Sequence, residues 1–293
     1  MKLKAIKVND FYALIKYGIS KRKGTIYSLR NDEFKTLSPP VFFLSTGRTG
    51  TKWFADLLKH AKGSLVFHAP VPDLSVQSVF AYNIFKKNNF ELTGEQETAL
   101  KEIFLAAREE QLRYAYKTEK KYIETNNYLT FFAPVLAKLF PNAKFVHLHR
   151  HPGEFIRSAM DRNYFAGTDT NLIRRIRPSS GDYYQEWQKF SQLEKSAWLW
   201  FETNNFIDTL KNKLESDRIM TLSLNKFNLD NVKKVIEFLE IDIQESVIRK
   251  KLRRKKNIQK SRATVPYSKW SDIQKKELID ICGKQAQFYG YEL

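Results

Sequence analysis

Pro40-Val41-Phe42-Phe43-Leu44-Ser45-Thr46-Gly47-Arg48-Thr49-Gly50-Thr51-Lys52-Trp53-Phe54-Ala55-Asp56-Leu57-Leu58 is the stretch from which the fold can be read. Val41 to Leu44 is a short, wholly apolar run, the pattern of a strand buried on both faces. A turn of Ser, Thr, Gly, Arg and Lys follows. Beyond it Trp53, Phe54, Leu57 and Leu58 recur at helical spacing. Strand, glycine turn and helix, in that order, aim a row of backbone N–H groups and a helix N-terminus at an anion. Thr46, Thr49 and Thr51 add hydroxyl donors, and Arg48 and Lys52 add charge. The predicted ligand is a phosphate or a sulfate.

The spacing narrows the choice. A Walker A loop sets its Gly-Lys-Ser/Thr ending further from the first glycine than this turn does. Here only Arg48 and Thr49 separate Gly47 from Gly50, and Lys52 does not follow Gly50 directly. That argues against an ordinary ATP or GTP loop.

A second constellation lies downstream. Lys144 to Arg150 reads as a strand, and Pro152 is well placed to open a helix. Ser158 falls two turns into that helix, where it can converge with Arg150 on one oxyanion. Arg supplies a forked, permanently charged donor and Ser a short hydroxyl. The plain alternative is that Arg150 forms an ion pair at a strand end while Ser158 faces water.

Together these segments resemble the sulfotransferases. Gly47 to Trp53 is similar to that family's 5′-phosphosulfate loop, and Arg150 with Ser158 to its site for the cofactor's 3′-phosphate. The resemblance covers Val41 to Trp53 and Lys144 to Ser158; elsewhere it rests on element order. It implies an enzyme that moves the sulfuryl group of 3′-phosphoadenosine 5′-phosphosulfate (PAPS) to an acceptor hydroxyl or amine, leaving 3′-phosphoadenosine 5′-phosphate (PAP), without a metal. It also implies a three-layer α/β fold, a parallel sheet of about five strands with helices on both faces. Gly47, Arg48, Thr49, Gly50, Thr51, Lys52 and Trp53 would hold the 5′ end of the nucleotide. A basic loop, 259–270, would fold over it, with Lys260, Arg262 and Lys269 as candidates. Arg48 stands where the family has Lys or Arg, and would act by charge and hydrogen bonds alone. For the general base, Ala69 stands where a Glu is expected. His68 is therefore the leading candidate, its ordinary pKa being close to neutrality, and Asp73 and Glu124 are second choices. The alternative for His68 is a core histidine bonded to a carbonyl.

The remaining chain fits one domain, 1–293, with a peripheral lead-in over 1–38 and a cofactor-binding core over 41–158. Strands are expected over Ser64–His68, Tyr122–Thr125 and Arg218–Leu224. Helices are expected over Gly94–Lys117, Phe131–Phe140, Ser196–Leu210 and Val232–Leu239, with a closing one that ends at Gly290-Tyr291. Trp198, Trp200 and Phe201 are read as core. Arg249 to Lys256 reads as a solvated basic helix face, with docking to an acidic acceptor or a membrane surface as the alternative.

Net charge is +18, from 50 Lys and Arg against 32 Asp and Glu, which suits phosphorylated or polyanionic partners. Cys282 is the only cysteine, so neither an intrachain disulfide nor a zinc cluster is available. A reducing, cytoplasmic setting is expected, since no apolar run approaches a membrane span and Met1 to Lys7 lacks a signal-peptide pattern. A carbohydrate or lipid-linked hydroxyl is the acceptor expected by fold-level analogy, with an anionic membrane surface or polymer as a further partner. The competing functional readings are a nucleotide-binding protein with weak or no turnover, an atypical nucleotide kinase, and a basic polyanion- or nucleic-acid-binding protein. No specific nucleic-acid signature is present.

Overall fold

The computed structural model describes residues 38–253 and 265–293. The lead-in (1–37), Lys260 and Arg262, and the end of the basic run (254–256) lie outside the described residues.

Five strands, all parallel, make one sheet in the order β2-β3-β1-β4-β5: β1 Val41–Leu44, β2 Ser64–Phe67, β3 Lys121–Glu124, β4 Lys144–His149 and β5 Ile219–Ser223. β1 is central, and its four side chains are fully buried. Its alternate residues feed two cores, as a period of two requires. Phe42 and Leu44 face one with Phe104, Tyr122 and Phe145; Val41 and Phe43 face the other with Phe54, Ile123 and Val146. Each such side chain contributes roughly 1.5–3 kcal/mol by leaving water. The first core is closed by α2 (Ser75–Lys87), α3 (Gly94–Lys117), α4 (Ala133–Leu139), α5 (Pro152–Met160), α7 (Gln192–Lys211) and α10 (Asp272–Phe288). The second is closed by α1 (Thr51–Leu58), α8 (Leu229–Phe238) and α9 (Glu245–Arg253); a short α6 spans Asp182–Glu186. This is the expected three-layer architecture. The chain leaves β1 toward β2 on one side and returns to β4 on the other, so a crevice opens at the strands' C-terminal ends.

Several local features depart from expectation. β2, β3 and β4 each end one residue early, which leaves His68, Thr125 and Arg150 in the loops at the crevice. The run Phe131–Phe140 is split: a 3-10 turn over Asn127–Phe132 precedes α4, whose second residue, Pro134, lacks an N–H. α2 was not anticipated, because Val76 and Phe80 put apolar side chains on its exposed face. On α3 Leu100, Phe104 and Ala107 are buried, as is Arg108, while Tyr114 is exposed. α7 begins before Ser196, at a capping box in which Ser191 and Glu194 satisfy each other's backbone N–H groups. Trp198 and Trp200 are core residues, and Phe201 packs against that core partly buried.

Candidate active site

The turn between β1 and α1 is built from residues in the left-handed region. Gly47, Arg48 and Gly50 have φ of 76°, 59° and 95°. Arg48 pays about 1–2 kcal/mol for that conformation. Gly50 could not be replaced cheaply, since a Cβ there would sit 2.9 Å from the Phe227 ring. The turn is pinned from below: Ser45 N–H donates to Thr130 Oγ1 (3.0 Å), and the Thr130 hydroxyl donates to the Ser45 carbonyl (3.1 Å). Gly47 N–H donates to Ser45 Oγ at 3.0 Å. No side chain caps α1, and the Thr49 hydroxyl is buried with no partner. The donors of this helix start are thus met by no capping side chain.

β4 pairs directly with β1, and this brings the second constellation to the first. Arg48 Nε donates to Ser158 Oγ at 3.2 Å, across 110 residues of chain, and Arg150 Nη1 lies 3.5 Å from the Arg48 carbonyl oxygen. The Arg150 carbonyl is held by the Trp200 indole N–H at 2.9 Å. Glu154 takes Arg150 at 3.1 Å and Arg157 at 2.9 Å. Burial, then the neighbouring charges of Arg162 and Arg150, lower the pKa of Arg48; burial and Arg157 do the same to Arg150, against Glu154. An arginine stays charged regardless. The repulsion therefore reports positive charge held close together, the arrangement an anion relieves.

Beside the turn opens a small cleft. Ser45 and Thr46 form one wall, Asn127 and Tyr128 the next, and Tyr164, Arg174 and Arg175 the outer one. Asn127 lies against the turn itself, 3.4 Å from where a Cβ on Gly47 would be.

A family model described as the sulfotransferase family matches residues 39–245. The chain belongs to the sulfotransferase family. Among solved structures it is similar to the sulfotransferase domain of the Synechococcus PCC 7002 olefin synthase, at a TM-score of 0.51 and 14% identity over 88% of this chain and 97% of that one. It is also similar, at a TM-score of 0.48, to sulfotransferase STF9 from Mycobacterium avium (13% identity; 96% of this chain, 82% of that one). The same score relates it to mouse sulfotransferase SULT7A1 complexed with PAP (14% identity; 88% of each chain). No curated protein matches significantly. At these identities the likeness is one of fold; the family match carries sulfotransfer as the general chemistry.

This sulfotransferase family member does not bring every candidate to the lining of the cleft. Lys52 turns along the outside of α1 to Asp56 (3.2 Å). Trp53 packs against Phe227 with the rings tilted, centroids 5.1 Å apart, and its indole N–H is buried and unpaired. His68 spends Nδ1 on the Thr125 carbonyl (2.9 Å), burial lowers its pKa, and it is not among the cleft's lining residues. Of the alternative, the carbonyl contact is found, but the residue is exposed and is not part of the core. Glu124 is fully buried against Arg108 in a two-pronged pair (2.8 and 2.9 Å), and also accepts from the Tyr122 hydroxyl (2.5 Å) and the Asn126 amide (3.0 Å). Its lone pairs are occupied and it does not face the cleft. Arg108 in turn holds the Pro72 carbonyl at 2.8 Å, so the pair fixes the loop that carries Asp73. Asp73 binds the Ser75 hydroxyl (2.8 Å) through Oδ1 and Arg174 (3.3 Å) through Oδ2. Within the described part of the basic loop, 265–270, the 3-10 turn Tyr267–Lys269 packs the Tyr267 ring on Gly153 at the start of α5 and leaves Lys269 exposed.

Sequence reading missed Thr130, Asn127, Tyr164, Arg174 and Phe227. The run Leu172-Ile173-Arg174-Arg175-Ile176-Arg177, three arginines among three aliphatics, was the one signal that pointed to any of them.

Proposed function

We propose that this protein transfers a sulfuryl group from PAPS to an acceptor hydroxyl bound in the cleft. The contact between Arg48 and Ser158 carries the reading, because it joins the turn after β1 to the helix after β4 in one basic site. A nucleotide phosphorylated at both its 3′ and 5′ ends would span them. The site fits such a group: an uncapped helix start, an orphaned Thr49 hydroxyl, and the positive charge of Arg48 and Arg150 held close together are what an anion would satisfy. Backbone N–H groups of Thr49, Gly50 and Thr51 would hold the 5′-phosphate, and Arg150 and Ser158 the 3′-phosphate. The Trp53 and Phe227 rings beside the turn offer a platform for the base.

When bound, the donor supplies an activated sulfuryl group, whose S–O bond to the 5′-phosphate breaks as the bond to the acceptor oxygen forms. Arg48 neutralises the charge that collects on the phosphate oxygen. The cleft walls orient the acceptor. Asp73 takes the acceptor's proton. Among the described residues, Asp73 and Asp169 are paired with the arginines that line the cleft, Arg174 and Arg175. Asp169 is held by Arg175 and by the N–H groups of Phe165 and Asn171 and is buried at its side chain, whereas Asp73, held by Ser75 and Arg174, is a third exposed.

Arg150→Ala is expected to weaken PAP binding roughly 10- to 150-fold in a calorimetric titration, the worth of a charged hydrogen bond. Unchanged affinity would overturn the nucleotide assignment. For the base, Asp73→Asn should lower kcat by about 10²–10⁴ with PAP affinity intact, while His68→Asn should leave kcat near that of the wild type. The reverse outcome would return the role to His68.

A further inference from the structure

We propose that the rim of the cleft is a docking surface for an anionic lipid bilayer. Large apolar side chains exposed singly are ordinary, but several gathered round one opening are not. Val76 and Phe80 lie one turn apart on the same face of α2, and Val79 between them lines the cleft. The 3-10 turn Leu172–Arg174 packs against α2, and Arg174 ties the two together through Asp73, just ahead of that helix. Leu172 and Ile173 project beside it, and Val71 stands out from the loop before Asp73. Ile173 is 71% exposed, Val71 88% and Phe80 50%.

Charge completes the surface. Arg174 and Arg177 are exposed within the same segment as Leu172 and Ile173, on a chain of net charge +18. Apolar side chains interleaved with arginine suit the boundary between anionic headgroups and acyl chains, where each cation adds an attraction and each apolar group inserts. Among the described residues no helix is long and apolar enough to cross a membrane, so the contact proposed is interfacial. A hydroxyl carried by a lipid headgroup would then meet the cleft at the bilayer surface. That last step rests on the function proposed above; the docking does not.

The test is co-sedimentation of the full chain with vesicles of phosphatidylglycerol or of phosphatidylcholine, for the wild type, for Phe80→Ser/Ile173→Ser and for Val76→Ser/Leu172→Ser. Wild-type protein should bind the anionic vesicles only, and part of the binding should persist at about 0.5 M salt, where charge attraction is screened within a few ångströms. Each double variant should lower the partition about tenfold or more, since two inserted side chains are lost. Both should keep wild-type PAP affinity, which separates failure of the docking from failure of the nucleotide reading. Equal sedimentation of wild type and both variants would overturn the proposal, leaving net charge as the whole attraction. So would equal binding to phosphatidylcholine. Conversion of a wild-type dimer to a monomer by these variants, with lipid binding unchanged, would assign the face to a second copy of the chain and overturn it too.

Discussion

Replacing Arg48 by alanine is expected to lower kcat by about 10²–10³-fold at saturating donor, the loss seen when one preorganised donor to a developing charge is removed. The reason lies in its surroundings. Arg48 is held in a left-handed conformation, tied to Ser158 and pressed by Arg162 and Arg150, so its charge is in place before any reaction begins. Negative charge grows on the phosphate oxygen only as the sulfuryl group departs, so the contact is stronger in the transition state than in the ground state. PAP affinity should fall less than kcat, because Arg150 and Ser158 remain and the removal relieves repulsion among the guanidiniums. Arg48→Lys should recover part of the rate, keeping charge but losing the forked geometry that reaches Ser158. Steady-state kinetics with a paired PAP titration would check this. A kcat within twofold of wild type for Arg48→Ala would remove the residue from the mechanism.

The largest effect on stability should come from Glu124→Ala, expected to cost about 3–5 kcal/mol, the range for breaking a buried pair by removing one partner. Both side chains of the Arg108–Glu124 pair are fully buried. Without the carboxylate, the guanidinium has no counter-charge inside the protein, and the Tyr122 hydroxyl and Asn126 amide lose their acceptor. At this chain length such a loss corresponds to a drop in Tm on the order of 10 °C. The variant Arg108→Met/Glu124→Leu should be less damaged than Glu124→Ala, because it buries no unpaired charge. It should nevertheless lose activity, since Arg108 no longer holds the Pro72 carbonyl and Asp73 is no longer fixed. Thermal melts of the three proteins decide the matter; a Glu124→Ala melt within 2 °C (roughly 1 kcal/mol) of wild type would refute the structural role.

The two predictions differ in how far the residue's role could be read from its neighbours in sequence. Val41 to Leu44 could be recognised because a fully buried parallel strand must be apolar throughout, and the turn after it because glycine and threonine at that spacing serve backbone geometry and anions directly. The positions of Arg150, just past a strand end, and of Ser158, two turns into the next helix, are legible for a similar reason, since each is set locally. Those are properties of a few consecutive residues, and the chain states them without help. Glu124, Lys52 and His68 could not be placed in this way. Each looks equally suited to chemistry in one dimension, yet Glu124 meets Arg108 inside the core, Lys52 meets Asp56 along α1 and His68 meets a carbonyl. The cleft and its rim belong to the same class, since Asn127, Tyr164 and Arg174 come from three separate connections between elements. Which of two possible partners a charged side chain takes depends on what the packing of distant elements brings within about 4 Å, where Coulomb attraction and desolvation are both large. Local pattern specifies the elements and the glycine turn; only the assembled sheet, with β4 laid beside β1, determines which charges come together beside it.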